Sequence, residues 1–228
     1  MAVFARRIRK SSQVERGPGP EERLDRGLLA LEVELPEGAR EHLLALVRLL
    51  AKWNRVYNLT SVRKPADMVG RHLLDSLSVL PHLRGPRVLD IGTGAGLPGL
   101  VLAIARPDWQ LVLLDASNKK LRFVRQAVAE LTLDNVEVVH CRVEDYRPDE
   151  VFDSVVSRAY SSLEEMYQAG HRLCRPDGRI HAMKGVFPVA EMDALSRPGV
   201  VERVERLQVP GLDAERHLVI MRPEADAE

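Results

Sequence analysis

Residues 88–99 read Val88-Leu89-Asp90-Ile91-Gly92-Thr93-Gly94-Ala95-Gly96-Leu97-Pro98-Gly99, an apolar run with one acid followed by closely spaced glycines. Such a pattern suits a strand that turns sharply into a helix and leaves bare backbone for a ligand to approach. Two cofactors compete for it. Gly94, Gly96 and Gly99 satisfy G-x-G-x-x-G, the dinucleotide fingerprint in which a helix N-terminus faces a pyrophosphate. Gly92, Gly94 and Gly96 satisfy the G-x-G-x-G of S-adenosyl-L-methionine enzymes. Register favours the second, because the glycines should begin where the strand stops. Asp90, at the carboxyl end of that strand, suits the ammonium of a methionine moiety and would repel a pyrophosphate. Asp115, ending the next apolar run, is placed for ribose hydroxyls with either cofactor. The expected cofactor is therefore S-adenosyl-L-methionine, at Asp90, Gly92, Gly94, Gly96 and Asp115. NAD, and with it an oxidoreductase, is the alternative; a glycine turn that binds nothing is the bland one.

The methyl acceptor is narrowed by exclusion. Exocyclic amines are often held by an Asn/Asp-Pro-Pro-aromatic loop after the fourth strand, where this chain has Ser157-Arg158-Ala159-Tyr160. Pyrimidine C5 chemistry needs a nucleophilic thiolate. Cys141, in a strand, and Cys174, at a helix end, read instead as small buried hydrophobes. A purine ring nitrogen such as guanine N7 needs neither device, since its lone pair is already nucleophilic and alignment supplies most of the rate. No general base is expected, so no catalytic residue is assigned; Arg158 and Lys184 are the candidates. Both follow strands at the edge where open α/β sheets bind ligands, and they suit phosphates or the cofactor carboxylate. Lys184 as a solvated bystander is the competing reading. His72, Asp75 and Ser76, at i, i+3 and i+4, share a helical face that floors the pocket or joins two structural layers. Arg71 and Asp75 could also form a simple i, i+4 ion pair.

These residues need elements to position them. Helical patterns cover Glu21 to Leu31, Ala39 to Tyr57 with an apolar stripe through Leu43, Leu46, Val47, Leu50 and Trp53, and Asp67 to Leu80. Trp53 and Tyr57 belong to that core stripe, with base stacking as the lesser alternative. Strands then alternate with helices: strand 87–91, helix 99–105, strand 111–114, helix 118–131, strands 136–140 and 152–157, helix 162–173, strand 179–183. Val201 to Val209 and His217 to Met221 close the sheet as antiparallel partners. The expected fold class is α/β, a Rossmann-like class I methyltransferase sheet, mostly parallel and seven-stranded, with a helical N-terminal cap. The domain reading is a flexible basic tail over 1–20, the cap over 21–84 and the methyltransferase domain over 85–228.

Composition bounds the rest. The chain's 33 basic and 33 acidic residues cancel, so nucleic-acid affinity must come from local patches. Two cysteines outside any CxxC pair exclude a disulfide framework and suit a reducing cytoplasm. His171 and Cys174 have ligand-like spacing, but no second pair completes a site, and no metal is expected. No apolar run approaches the ~20 residues that cross a bilayer. No membrane association is expected, and the chain is read as a monomer.

Several segments, in order, carry a more specific signal. Trp53-Asn54-Arg55-Val56-Tyr57-Asn58-Leu59-Thr60-Ser61-Val62-Arg63, Arg71-His72-Leu73-Leu74-Asp75-Ser76, the glycine loop, Ser157-Arg158-Ala159, Leu207-Gln208-Val209-Pro210 and Glu215-Arg216-His217-Leu218-Val219 resemble the bacterial glucose-inhibited division protein B family. That family is the guanine-N7 methyltransferase of 16S ribosomal RNA. The resemblance covers roughly residues 21–222 and implies a guanosine in the 530 loop near the decoding site as acceptor. It also implies cofactor contacts at Gly92, Leu97, Val143, Glu144 and Arg158, and small-subunit RNA or the small subunit as partner. An exposed loop acid is the alternative for Glu144. Candidates on the RNA side are Asn58, His72, Asp75, Ser76, Arg158 and Lys184. Rival functions are a ribose 2′-O methyltransferase, which should show a Lys/Asp/Lys/Glu set, and a ribosome-assembly factor that binds RNA without turnover.

The first sixteen residues carry Arg6, Arg7, Arg9, Lys10 and Arg16 against the single acid Glu15. If this arm touches RNA it does so through phosphates, each worth about 0.7 in the slope of log affinity against log salt. Deleting residues 1–16 should flatten that slope on small-subunit RNA by roughly one to three, with cofactor affinity unmoved. An unchanged slope would mark the arm as an idle tail.

Overall fold

The computed structural model describes residues 17–158, 160 and 162–223. Most of the expected basic tail lies outside the described residues. Helix α1 (Pro20–Leu31) starts with proline at its first position and Glu21 and Glu22 in its first turn, all favourable at a helix N-terminus. Helix α2 (Ala39–Tyr57) buries Leu43, Leu46, Val47 and Leu50 on one stripe and stops at Asn58, whose backbone is left-handed. The third helical pattern is not one regular helix. It runs as α3 (Pro65–Met68), a π-helical stretch (Val69–Leu74) and a short α4 (Asp75–Leu77).

Seven strands form one sheet: β1 (Arg87–Ile91), β2 (Gln110–Asp115), β3 (Val136–His140), β4 (Phe152–Ser157), β5 (Cys174–Lys184), β6 (Val201–Arg206) and β7 (His217–Met221). Their order is β3-β2-β1-β4-β5-β7-β6. β1 to β5 are parallel, and β7 inserts between β5 and β6 antiparallel to both. Alternation along each strand splits the core. Val88, Leu111, Leu113 and Val156 face a cluster shared with α1, α2, α5 (Gly99–Ala105) and α6 (Asn118–Glu130). Leu89, Ile91, Val112 and Val155 face the other cluster, against α7 (Leu163–Gly170) and Tyr167 in particular. Burial on both faces is why these strands read as continuous apolar runs. The N-terminal helices share their cluster with α5 and α6, so they and the sheet are packed around common side chains. Among the described residues no helix is long and apolar enough to cross a membrane.

The sheet departs from expectation between α7 and β5. The helical pattern through Leu173 ends at Gly170, and Cys174 opens β5 instead of closing a helix. The cause is non-local: the Phe152 N–H donates to the Leu173 carbonyl at 2.8 Å, and Cys174 pairs opposite Phe152. β4 thus draws the chain into the sheet before Arg175-Pro176-Asp177-Gly178. β6 stops at Arg206, short of Val209, and a short helix, α8 (Val189–Asp193), precedes it without having been expected. Cys141 lies just past β3.

At Gly178, β5 passes close against β4. A Cβ there would lie 2.7 Å from the Asp153 carbonyl oxygen and 2.7 Å from Cys174 Sγ. The backbone oxygen cannot swing away, so Gly178→Ala should lower the unfolding free energy by about 1–3 kcal/mol. A urea midpoint within error of the wild type would contradict this packing.

Candidate active site

The turn from β1 into α5 is held by two carboxylates. Asp90 Oδ2 accepts from the Thr93 hydroxyl at 2.6 Å and from the Gly99 N–H at 2.8 Å, so one oxygen fastens both ends of the glycine loop. Asp115 holds its middle: Oδ2 accepts from Gly94 N–H at 2.8 Å and Oδ1 from Ser117 N–H at 2.7 Å. The other oxygen of Asp90 is buried without a hydrogen-bond partner. Burial outweighs the hydrogen bonds and lifts the Asp90 carboxyl to about 7.

The glycines divide by task. Gly92 and Gly94 adopt left-handed backbone, with φ of 65° and 59°, and a Cβ on either would meet nothing nearer than 3.9 Å. These two line open space on the carboxyl edge. Gly96 and Gly99 are packing glycines: a Cβ would come within 2.3 Å of Leu100 Cδ1 and 2.8 Å of Asp90 Oδ2 respectively. Leu97 is buried and joins the core cluster of α5 and α6.

Past β3, Val143 and Glu144 stand on a single 3-10 turn (Val143–Asp145), Val143 buried and Glu144 exposed. With Tyr160, Glu165 and Gln168 they line a cavity of about 480 Å³. Arg172, from the turn after α7, fastens this segment by donating to the Val143 carbonyl and, at 2.9 Å, to the Tyr146 carbonyl.

On the other side of β1, a cavity of about 380 Å³ brings together Arg71, His72, Asp75, Arg158, Lys184 and Arg216. Asp75 is its hub. Its Oδ1 accepts from Arg216 Nε at 2.8 Å, and its Oδ2 lies 3.7 Å from Arg158 Nη1. The i, i+4 pair with Arg71 is not among the ion pairs of Asp75, which are with Arg158 and Arg216. Burial dominates both partners, holding the Asp75 carboxyl above the ordinary carboxylate range and the Arg158 guanidinium below its usual value. His72 is neutral. Its Nδ1 faces the Arg71 carbonyl at 2.9 Å and so carries the proton, while Nε2 accepts from the Thr60 hydroxyl at 2.9 Å. Burial, aided by the Arg158 charge, pushes its imidazole down to about 4. Arg158 Nη1, 3.3 Å from Nδ1, therefore finds no lone pair there.

Lys184 is neither free nor solvated: its Nζ donates to Glu191 Oε2 at 2.7 Å and to the Tyr160 carbonyl at 3.3 Å. Two candidates fall outside the cavity. Ser76 is fully buried with its hydroxyl unpartnered, because the π-helical stretch shifts its face into the core while His72 and Asp75 reach the cavity. Asn58 is exposed and accepts from Arg63 Nη2 at 2.9 Å, beyond the end of α2. Arg216, Thr60 and Arg172 were not named as site residues from sequence; Arg216 and Thr60 had a signal, each lying in a segment that carries the family resemblance, and Arg172 had none. Neither thiol is activated: burial raises Cys141 and pushes Cys174 up to about 12.

A seven-stranded sheet in this order, with a glycine turn after β1 and acids ending β1 and β2, is the class I methyltransferase fold. The same fold is seen in a SAM-dependent methyltransferase from Aquifex aeolicus, with a TM-score of 0.55 at 19% identity over 69% of this chain and 93% of that one. TYW2 from P. horikoshii, solved in complex with MeSAdo, aligns with a TM-score of 0.51 at 11% identity over 66% of this chain and 62% of that one. The chain belongs to the GidB family, rRNA small subunit methyltransferase G, whose profile matches residues 39–219. It is 52% identical over 201 residues to the ribosomal RNA small subunit methyltransferase G of Yersinia enterocolitica, spanning 88% of this chain and 98% of that protein. The protein of that name from Idiomarina loihiensis is 50% identical over 197 residues, 86% of this chain and 96% of its own.

The raised Asp90 carboxyl has a stability consequence. Its folded value of about 7 exceeds the ordinary carboxylate value of 3.8, so its contribution is present below pH 4 and is lost as pH rises through 7. Asp90→Asn keeps an acceptor for Thr93 and Gly99 without a charge. Without cofactor, it should melt above the wild type at pH 8, the gap closing toward pH 4. A gap that widens on acidification would contradict a buried, proton-hungry Asp90.

Proposed function

We propose that this chain transfers the methyl group of S-adenosyl-L-methionine to N7 of a guanine in 16S ribosomal RNA, in the 530 loop near the decoding site. The observation that carries the reading is the glycine turn, where left-handed backbone, open space and two carboxylates meet at the ligand-binding edge of the sheet. The names of the relatives support the RNA acceptor.

The residues present fit the cofactor. Asp90 Oδ1, buried and unpartnered, suits a cationic donor such as an ammonium group. Gly92 and Gly94 leave room beside it, and Asp115 ends β2 where ribose hydroxyls need an acceptor. Val143 and Glu144 offer an apolar wall and an acceptor for an adenine, with Gly96 and Leu97 shaping the turn and Arg158 closing the far side. When bound, the cofactor supplies a methyl group on a positively charged sulfur. Guanine N7 carries no proton, so the protein need not remove one; its task is alignment. Methylation leaves positive charge on the base, and the carboxylates at the cavity offset part of the cationic charge it would meet. Asp75 is shared between Arg158 and Arg216 and offsets one of their two charges, Glu191 offsets Lys184, and His72 is neutral. Arg158 and Lys184 are then directed toward phosphate or the cofactor carboxylate, with His72 and Asp75 positioning them. Asn58 acts from the rim through Arg63.

Two measurements test this. Gly94→Val puts a branched side chain on left-handed backbone and into the open space, so calorimetry on folded variant should detect no cofactor binding. Unchanged affinity would overturn the cofactor assignment. Single-turnover transfer, with cofactor and RNA saturating so that Asp90 titration is silent, should vary less than about threefold from pH 6 to 9. A rise of slope one through neutral pH would demand a general base and exclude N7.

A further inference from the structure

Charge is spread unevenly over a chain whose 33 basic and 33 acidic residues cancel. Residues 42–66 contain no Asp or Glu, yet carry Arg48, Lys52, Arg55, Arg63 and Lys64. Residues 116–129 contain none either, and carry Lys119, Lys120, Arg122 and Arg125. The fold joins these two acid-free segments. α2 packs on α6, with the Trp53 ring edge-on to Phe123 at 5.8 Å. Arg48, Lys52 and Arg55 recur at steps of four and three, on one face of α2, and all are exposed. On α6 the four cations are exposed while Leu121, Phe123 and Val124 turn inward.

Elsewhere many cations are matched, among them Arg40 with Asp25, Arg106 with Asp108, Arg179 with Glu202 and Lys184 with Glu191. Among the described residues, no ion pair includes a cation of the α2–α6 face. Lys119 and Lys120 also stand in the first turn of α6, with no acid beside them. Free backbone N–H groups make that end of a helix positive, so two lysines there weaken it. Folding alone gives no reason for the arrangement. A polyanion lying across the face would offset both the mutual repulsion and the dipole.

Position identifies the polyanion. Ser117, which precedes α6, donates its N–H to Asp115, whose other oxygen holds Gly94. The basic face therefore adjoins the glycine turn. We infer that the α2–α6 face docks the phosphate backbone of the RNA substrate, holding the strand beside the site while the cavity, whose cations are partly offset by Asp75 and Glu191, receives the base. The inference rests on the methyltransferase reading for the identity of the RNA. Exposed Lys and Arg reach phosphates without reading bases, so the contact is independent of sequence.

The test compares two triple variants with the wild type. Lys119→Gln/Lys120→Gln/Arg122→Gln removes three charges from the face. Arg197→Gln/Arg203→Gln/Arg206→Gln removes three exposed charges from β6, at the opposite edge of the sheet, and its approach. Filter binding to a 16S rRNA transcript is measured across a potassium chloride series. At about 0.7 per lost phosphate contact, the face variant should lower the slope by about two and weaken binding roughly tenfold or more near 0.1 M salt. The β6 variant should keep the wild-type slope. Melting of the face variant should be unchanged or higher, since the first turn of α6 loses its lysines, so weaker binding cannot be unfolding. Equal slopes in face variant and wild type, or an equal fall in the β6 variant, would overturn the inference. Methyl transfer to the same transcript is followed in parallel. A wild type that transfers methyl groups while its binding ignores the face overturns the docking surface alone. One that binds through the face without transferring overturns the reaction alone.

Discussion

A single oxygen of Asp90 receives the hydroxyl of Thr93 and the N–H of Gly99, the two ends of the turn between β1 and α5. An ionisable group this deeply buried is costly unless its polar atoms are satisfied, and the two hydrogen bonds satisfy one oxygen only. The other remains without a partner. Asp90 is thus both the clasp of the turn and its unsatisfied acceptor. Asp115 repeats the clasp one strand over, tying Gly94 to the first residue before α6. Where α5 and α6 begin, and hence where the N-terminal helices pack, follows from these carboxylates.

The other half of the site obeys a different constraint, that of charge balance under burial. Arg158, Arg216 and Asp75 come from a strand end, a late loop and the start of α4, and the carboxylate shared by two guanidiniums is what permits three charges in one partly closed cavity. Lys184 and Glu191 repeat the device. A base that gains positive charge is better received by such a cavity than by bare cations. Surplus positive charge is carried outside it, on α2 and α6, where water solvates it and a phosphate backbone can meet it.

Much of this was legible in sequence where the signal is local. β1, β3, β4 and β7 were bounded by apolar runs ending in turn chemistry, and the glycine spacing placed the turn between β1 and α5. What escaped depends on distant partners. α7 ends early because Phe152, in the preceding strand β4, captures Leu173. Regular helical spacing put His72, Asp75 and Ser76 on one face, whereas the π-helical stretch buries Ser76. Arg216 meets Asp75 across 141 residues of chain, and no local pattern announces such a pairing. Lys184 was legible as a cation at a strand end, but its neutralisation by Glu191 lies on α8, a helix too short to leave a periodic trace.

The central claim is chemical: a methyl group placed on N7 of one guanine in small-subunit RNA. The most direct measurement incubates the protein with cofactor tritiated in its methyl group and with small-subunit and large-subunit RNA side by side. The labelled RNA is then digested to nucleosides and the modified position mapped. The expected result is label in small-subunit RNA alone, recovered as N7-methylguanosine from one nucleotide of the 530 loop. Label recovered as a 2′-O-methyl ribose or an N-methylated exocyclic amine, or spread over large-subunit RNA, would contradict it.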